Sequence, residues 1–436
     1  MTAETETALL RFTGRLDALD EPSCSELFDR RMIAGSDQSD TVRAIIERVR
    51  NEGDSVLFDL ARRYDCAELD ALEVPRSAIQ AAVDSLDDGL KQAMLRSARN
   101  IEHVHAAAAP QSVRIEVEPG VVVTRRPDPL SRVGIYAPGG TAAYASSVLM
   151  AAVPARVAGV GELILCSPPD RTGRPATSVL AAAQIAGVDR VFALGGAGAI
   201  AAMALGTETV PAVDKIVGPG NAFVAEAKSQ LASKVGIDCP AGPSELVIIA
   251  DDSADPVAIA REVIAQAEHD ERAIVLVLAV GTGLAAKVEK ALADSVGSQP
   301  RRSVIAESLS KRGGVLEVDD ARVAIEAANR FAPEHLLIVV RDPTLVARAR
   351  NAGSIFVGET SSVAFGDYIT GANHVLPTGG QGKVYSGLST LDFVRWTTVQ
   401  EVSRAGALSL ADDTARFADA EGLPGHAAAA RGWSVG

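Results

Sequence analysis

From Arg132 onward the chain alternates short apolar strands with alanine-rich helices, joined by connections of only a few residues. This is the sequence form of a parallel α/β sheet, because parallel neighbours need a crossover helix between them. Strands are expected at 132–137, 162–166, 190–194 and 215–217, with helices at 147–158, 177–186 and 199–205, and one after Asn221 to about 235. After Cys239-Pro240-Ala241-Gly242-Pro243 the alternation resumes. Strands are expected there at 245–250, 273–278, 314–317, 336–340 and 354–357, with helices at 256–268, 283–295, 320–330 and 345–350. Two α/β blocks result. The second is completed, on this reading, by earlier helices whose apolar residues recur at three- and four-residue spacing over 42–60 and 76–107. Residues 1–38 read as short and irregular, with a helical piece at 24–32. Beyond 387 the pattern is helical over 392–399, 409–418 and 425–431, in a tail too short to bury much by itself.

Composition narrows the class. A formal net charge of −14 over 436 residues argues against a nucleic-acid or anionic-membrane partner. The most apolar stretch, 148–166, is broken by Pro154, Arg156 and several glycines, so it does not supply the roughly 20 apolar residues of a membrane span. Cys24, Cys66, Cys166 and Cys239 are far apart and form no metal or disulfide pattern. The N-terminus lacks the basic and apolar regions of a signal peptide. The expectation is a soluble, cytoplasmic, reduced protein.

Chemistry-bearing residues gather in the second half. Four of the six histidines lie near a carboxylate or amide: His269 in Gln266-Ala267-Glu268-His269, His335 after Pro333-Glu334, His374 after Gly366-Asp367-Tyr368, and His426 after Glu421. Imidazole titrates near neutral pH and is the commonest metal ligand. Gln266 and His269, three apart at a helix end, share a face and could offer oxygen and nitrogen to a divalent metal; spacing alone favours an exposed polar helix end. Glu334-His335 falls in a helix-to-strand turn, where Pro333 biases Ala332 towards an extended backbone, and the pair suits acid–base work. His103 and His105, two apart on a helix, share no face and read as structural. The polar, glycine-rich run from Gly366 to Gly382 has the length of a functional loop. Pattern alone leaves Glu421 and His426 unassigned. Gly196-Ala197-Gly198-Ala199-Ile200-Ala201 follows a strand and opens a helix, so it fits the dinucleotide fingerprint, but tight-turn packing explains it as well. Pro138-Gly139-Gly140 and Gly218-Pro219-Gly220-Asn221 sit at strand ends, where ligands bind in such sheets and where plain turns also occur.

Taken in order, several segments resemble the histidinol dehydrogenase family. They are Arg132-Val133-Gly134-Ile135-Tyr136-Ala137-Pro138-Gly139-Gly140, Val213-Asp214-Lys215-Ile216-Val217-Gly218-Pro219-Gly220-Asn221, Ala241-Gly242-Pro243-Ser244-Glu245, Gln266-Ala267-Glu268-His269, Ala332-Pro333-Glu334-His335, Gly366-Asp367-Tyr368 with Asn373-His374-Val375-Leu376-Pro377, and Glu421 with His426. The resemblance covers nearly the whole chain. It implies an α/β fold of two incomplete Rossmann-like parallel-sheet domains with small helical N- and C-terminal tails. The implied divisions are 1–32, 33–131 with 244–387, 132–243, and 388–436.

The resemblance also implies NAD- and zinc-dependent oxidation of L-histidinol through L-histidinal to L-histidine, the last steps of histidine biosynthesis. Zinc ligands would be Gln266, His269, Asp367 and His426, and Glu334 and His335 the acid–base pair. Ser244, His335, Asp367, His374 and Glu421 would surround the substrate together with the zinc ligands. Tyr136 and Asn221 would contact NAD, as would position 198, where the family's Gln is replaced by Gly198. A homodimer is implied, with the C-terminal tail entering the partner's site. The alternatives are a related zinc and NAD dehydrogenase of another small polar alcohol, such as a sulfonated diol, and a zinc-binding interaction protein without catalysis. Ser244, His374 and Glu421 match the histidinol enzyme and disfavour the first; an intact Glu334-His335 disfavours the second.

Overall fold

The computed structural model describes residues 8–30, 36–139, 143–239 and 242–434. Gly140, Pro240 and Ala241, named above in strand-end turns, lie outside the described residues, as do 31 and 32 at the end of the expected first helical piece. In chain order the strands are β1 (Phe12–Arg15), β2 (Val113–Glu118), β3 (Val121–Pro129), β4 (Arg132–Tyr136), β5 (Glu162–Ser167), β6 (Arg190–Ala193) and β7 (Lys215–Val217). They continue as β8 (Gly236–Ile237), β9 (Glu245–Ala250), β10 (Ile274–Val280), β11 (Gly314–Val318), β12 (His335–Val339), β13 (Ser354–Val357) and β14 (Val394–Val402).

Two parallel sheets form the body. One runs β6-β5-β4-β7-β8, the other β1-β11-β10-β9-β12-β13. Counted from β4 and from β9, each follows the order 3-2-1-4-5, that of a doubly wound nucleotide-binding sheet without its sixth strand. The expected pair of incomplete Rossmann-like sheets is therefore present. β9 and the first six residues of β10 are buried throughout, so they read as unbroken apolar runs because helices cover both faces. Among the described residues no helix is long and apolar enough to cross a membrane.

The structure departs from the sequence reading in four places. The early helices Ser36–Glu52, Asp54–Leu60, Arg76–Asp84 and Asp88–Ala107 cover the β4 sheet, not the later one. Val42, Ile46 and Leu57 pack with Ile200 and Ile216, and Ile79 and Ile101 with Val148 and Leu180. A helical stripe predicts a buried face but not its partner. The stretch 76–107 is two helices, the second capped by Asp87, whose carboxylate accepts from the Leu90 N–H at 2.9 Å. Near the N-terminus β1 adds a parallel edge strand to β11. Finally, 394–402 is a nine-residue strand and not a helix; it pairs antiparallel with β3, which also pairs with β2. Its Trp, Thr and Val content suits a pleated surface, while its partner lies more than 250 residues away in sequence. The tail then ends in a hairpin of Arg404–Ala420 and Pro424–Arg431.

Candidate active site

Glu334 and His335 enter β12 from the end of the helix Ala321–Phe331. Ala332 closes that helix with φ 54 and ψ 66, a left-handed conformation instead of the extended one expected before proline. Its N–H donates to the Ala328 carbonyl at 2.7 Å, so helix capping outweighs the local preference. Apart from glycines, only Cys66 and Ala332 among the described residues take a positive φ. Strain at the threshold of a buried acid–base pair is typical of functional positions.

Both side chains are buried. Glu334 Oε2 accepts from the Glu245 N–H at 2.9 Å and lies 3.6 Å from His335 Nδ1. His335 Nδ1 is 3.3 Å from the Glu245 carbonyl, which can only accept, so this nitrogen carries a proton. Nε2 faces Asp367 Oδ1 at 3.3 Å. Burial pushes the Glu334 carboxyl up to about 7. Burial alone would lower His335, but Glu334 and Asp367 outweigh it and raise the imidazole to about 9. Under the pair, the Arg30 guanidinium bonds the Glu245 carboxylate and stacks 3.4 Å from the Phe331 ring centroid, and the Gly379 N–H adds a 2.8 Å bond to the same carboxylate. The Glu245 backbone that holds both side chains is thereby fixed.

Asp367 comes from the short helix Val363–Tyr368, seated on Phe356 of β13. A side chain at Gly366 would collide with the Phe356 ring, so glycine brings this helix close enough for Asp367 to reach His335. Helices of the other half hold the next turn: Ser97 Oγ donates to the Tyr368 carbonyl and Asn100 Nδ2 to that of Ile369, both at 2.6 Å. His374 Nδ1 donates to the Asp367 carbonyl at 2.7 Å, which leaves Nε2 to accept from Ser147 Oγ at 3.2 Å. Burial lowers the His374 imidazole and favours this neutral form. Ser147 escaped the sequence reading. The available signal was a hydroxyl within the apolar run that the helix Ala145–Val157 buries.

Gln266 ends the helix Pro256–Ala267, and its amide is buried with Nε2 unpartnered. His269 lies one turn on and is exposed. Burial acts to raise the Asp367 carboxyl, but the hydrogen bond and charge of His335, with smaller contributions from His374 and His269, lower it, so all three imidazoles lie within electrostatic reach of Asp367. Imidazole, carboxylate and a buried amide lacking a partner are donor types that suit a divalent metal. Among the described residues no group of three or more His, Cys, Asp or Glu forms a metal cluster. Ser244 precedes β9 directly, beside Glu334's anchor. Glu421 and His426 are exposed on the terminal hairpin, and no hydrogen bond or ion pair of their side chains joins them to the cluster.

A separate cleft of about 1020 Å³ opens at the carboxyl ends of β4, β5 and β6, where doubly wound sheets bind nucleotides. Tyr136, Gly195, Gly196, Gly198 and Asn221 line it. The Tyr136 hydroxyl accepts from the Gly196 N–H at 3.0 Å, and burial pushes it up to about 12. Asn221 caps the helix Ala222–Leu231, accepting from the Phe223 and Val224 N–H groups at 3.0 and 3.1 Å, so its Nδ2 remains to donate. The preceding turn is fixed by buried Lys228, which donates to the Gly218 carbonyl and to Asp238, both at 2.6 Å. A Cβ on Gly198 would stand 2.6 Å from Leu60 Cδ1, so Leu60 fills the room a longer residue would use. Large enough for a dinucleotide and opened by a helix N-terminus, the cleft fits that class of ligand.

With this geometry in view, comparison with known proteins is informative. The profile of the family described as Histidinol dehydrogenase matches residues 29–432. The chain is similar to the histidinol dehydrogenase of Methanosarcina mazei, with 45% identity over 90% of this chain and 91% of that one. It is similar also to that of Methanothermobacter thermautotrophicus, with 42% identity over 95% and 97%. The crystal structure of histidinol dehydrogenase from Elizabethkingia anophelis matches with a TM-score of 0.93 at 33% identity, covering 98% of both chains.

Proposed function

The chain belongs to the histidinol dehydrogenase family and is an oxidoreductase, and from that premise we propose that it converts L-histidinol to L-histidine in two NAD-linked oxidations. The observation that carries the reading is the buried Glu334–His335 pair, pinned by the Glu245 backbone and faced by Asp367. NAD would supply the hydride acceptor, once for each oxidation. Gln266, His269 and Asp367, with His426 from a second copy, would hold Zn²⁺, which would supply a Lewis acid to position the substrate.

The chain's own groups divide the proton work. His335, whose Nε2 is the nitrogen turned towards Asp367 and away from the Glu245 carbonyl, accepts the hydroxyl proton as the carbinol carbon is oxidised by hydride loss. Glu334, once ionised, takes a proton from the water that attacks the aldehyde carbon. A second oxidation of the hydrated aldehyde gives the acid. Ser244, His374 and Glu421 would hold the substrate's polar groups, with His374 kept neutral by burial and oriented by its bond to the Asp367 carbonyl. Tyr136 and Asn221 would contact NAD, with Gly198 packed under Leu60 in place of a hydrogen-bonding side chain.

The site is completed, in this reading, by a homodimer. Exposed apolar residues Ile115 and Val117 on β2, Trp396 on β14, and Phe417 and Trp433 on the terminal hairpin support association through the tail that carries Glu421 and His426. For the metal, His269→Ala is expected to lose zinc and L-histidinol turnover together, read by metal analysis and by NADH absorbance. Zinc retained at full stoichiometry in this variant would remove His269 from the ligand set.

A further inference from the structure

Asp65 occupies a feature that neither the proton chemistry nor the core requires. Residues Ala61–Asp65 form a π-helical turn that prolongs the helix Asp54–Leu60 and stops at Cys66, held left-handed at φ 53. Such turns are rare and recur at functional sites. This one sets Tyr64 and Asp65 on the wall of the cleft at the carboxyl ends of β4 to β6. A Cβ on Gly195 would stand 3.2 Å from Asp65 Oδ1, so the absent side chain leaves the carboxylate facing the glycine turn.

The carboxylate is partly buried and has no hydrogen-bond or ion-pair partner among the described residues. Burial pushes it up to about 6, and its charge is felt by Tyr136. The cleft has one other acid, Asp170, which follows β5. The second strand is where doubly wound sheets carry the acid that binds a ribose. Asp170 Oδ1 is already occupied, by the Thr172 N–H at 2.7 Å and its hydroxyl at 2.5 Å. No Lys, Arg or His lines the cleft among the described residues. With Asp170 so engaged, a wall that offers the unpaired Asp65 carboxylate and no cation accepts hydroxyl donors and repels an added phosphate close to it.

We propose that Asp65 selects the cofactor: its carboxylate binds the ribose diol of an adenine dinucleotide and excludes one bearing a 2′-phosphate. The assignment rests on the NAD reading above. Calorimetric titration of the full-length, zinc-loaded enzyme with NAD and with NADP tests it, alongside Asp65→Asn, Asp65→Ser and the control Asp170→Asn. Asp65→Asn should weaken NAD binding about tenfold, the scale of one charge-assisted hydrogen bond. Asp65→Ser should narrow the preference for NAD over NADP by a similar factor. Asp170→Asn should leave that preference unchanged. Wild-type NAD affinity and preference in both Asp65 variants would overturn the assignment alone; a wild-type enzyme that binds no NAD would overturn the parent reading with it.

Discussion

Replacing His335 with Asn is expected to lower L-histidinol turnover by about 10³-fold, within the range for loss of a positioned general base. The substitution is conservative for the fold, because the Asn amide can still donate to the Glu245 carbonyl that now receives Nδ1. It removes the nitrogen facing Asp367, and with it the proposed acceptor of the substrate's hydroxyl proton. It also leaves Glu334 and Asp367 without the cation between them, so ionisation of Glu334 should shift to higher pH. Steady-state kinetics with a parallel thermal melt separates the effects: the rate should collapse while the melting temperature moves by only a few degrees. Activity within tenfold of wild type would take the proton-acceptor role away from His335.

Glu334→Gln should divide the reaction in two. The amide oxygen can still accept from the Glu245 N–H, so geometry survives, but an amide takes no proton from water. Oxidation of alcohol to aldehyde should persist, while oxidation of aldehyde to acid falls by about 10²–10³-fold. NADH formed per substrate consumed should then fall towards one, with aldehyde captured by a hydrazine or hydroxylamine trap. The pH dependence has a defined sign. Glu334 must be ionised to act as base, and burial raises it to about 7. In the wild type, aldehyde oxidation should be weak below about pH 7 and rise through it; in Glu334→Gln that limb should vanish. Unchanged histidine formation in the variant would contradict the role.

Both sheets were legible because buried parallel strands write themselves as continuous apolar runs, as in Leu246–Ala250 and Val275–Ala279. Packing between distant segments was not. The stripe from Val42 to Leu60 announces a buried face and leaves open which sheet it covers. Val394–Val402 became a strand because β3 was there to receive it, a long-range pairing that local pattern cannot carry. At the site, Glu334-His335 and Gln266-His269 stand out as adjacent chemistry. Asp367 reaches His335 through a glycine contact with Phe356, and His374 reaches Asp367 through a backbone carbonyl, so neither bond is written in spacing. Ala332 adopted a conformation that its proline neighbour disfavours, since the cap at Ala328 outweighed it. Glu421 and His426 stay apart from the cluster within one chain, as a tail meant for a second copy would.

The most direct measurement counts NADH against histidine when purified, zinc-replete enzyme oxidises L-histidinol with excess NAD. Two NADH should appear for each L-histidine, one for each oxidation. No turnover of L-histidinol, together with turnover of another small polar alcohol, would contradict the account, as would a ratio of one with aldehyde as the final product.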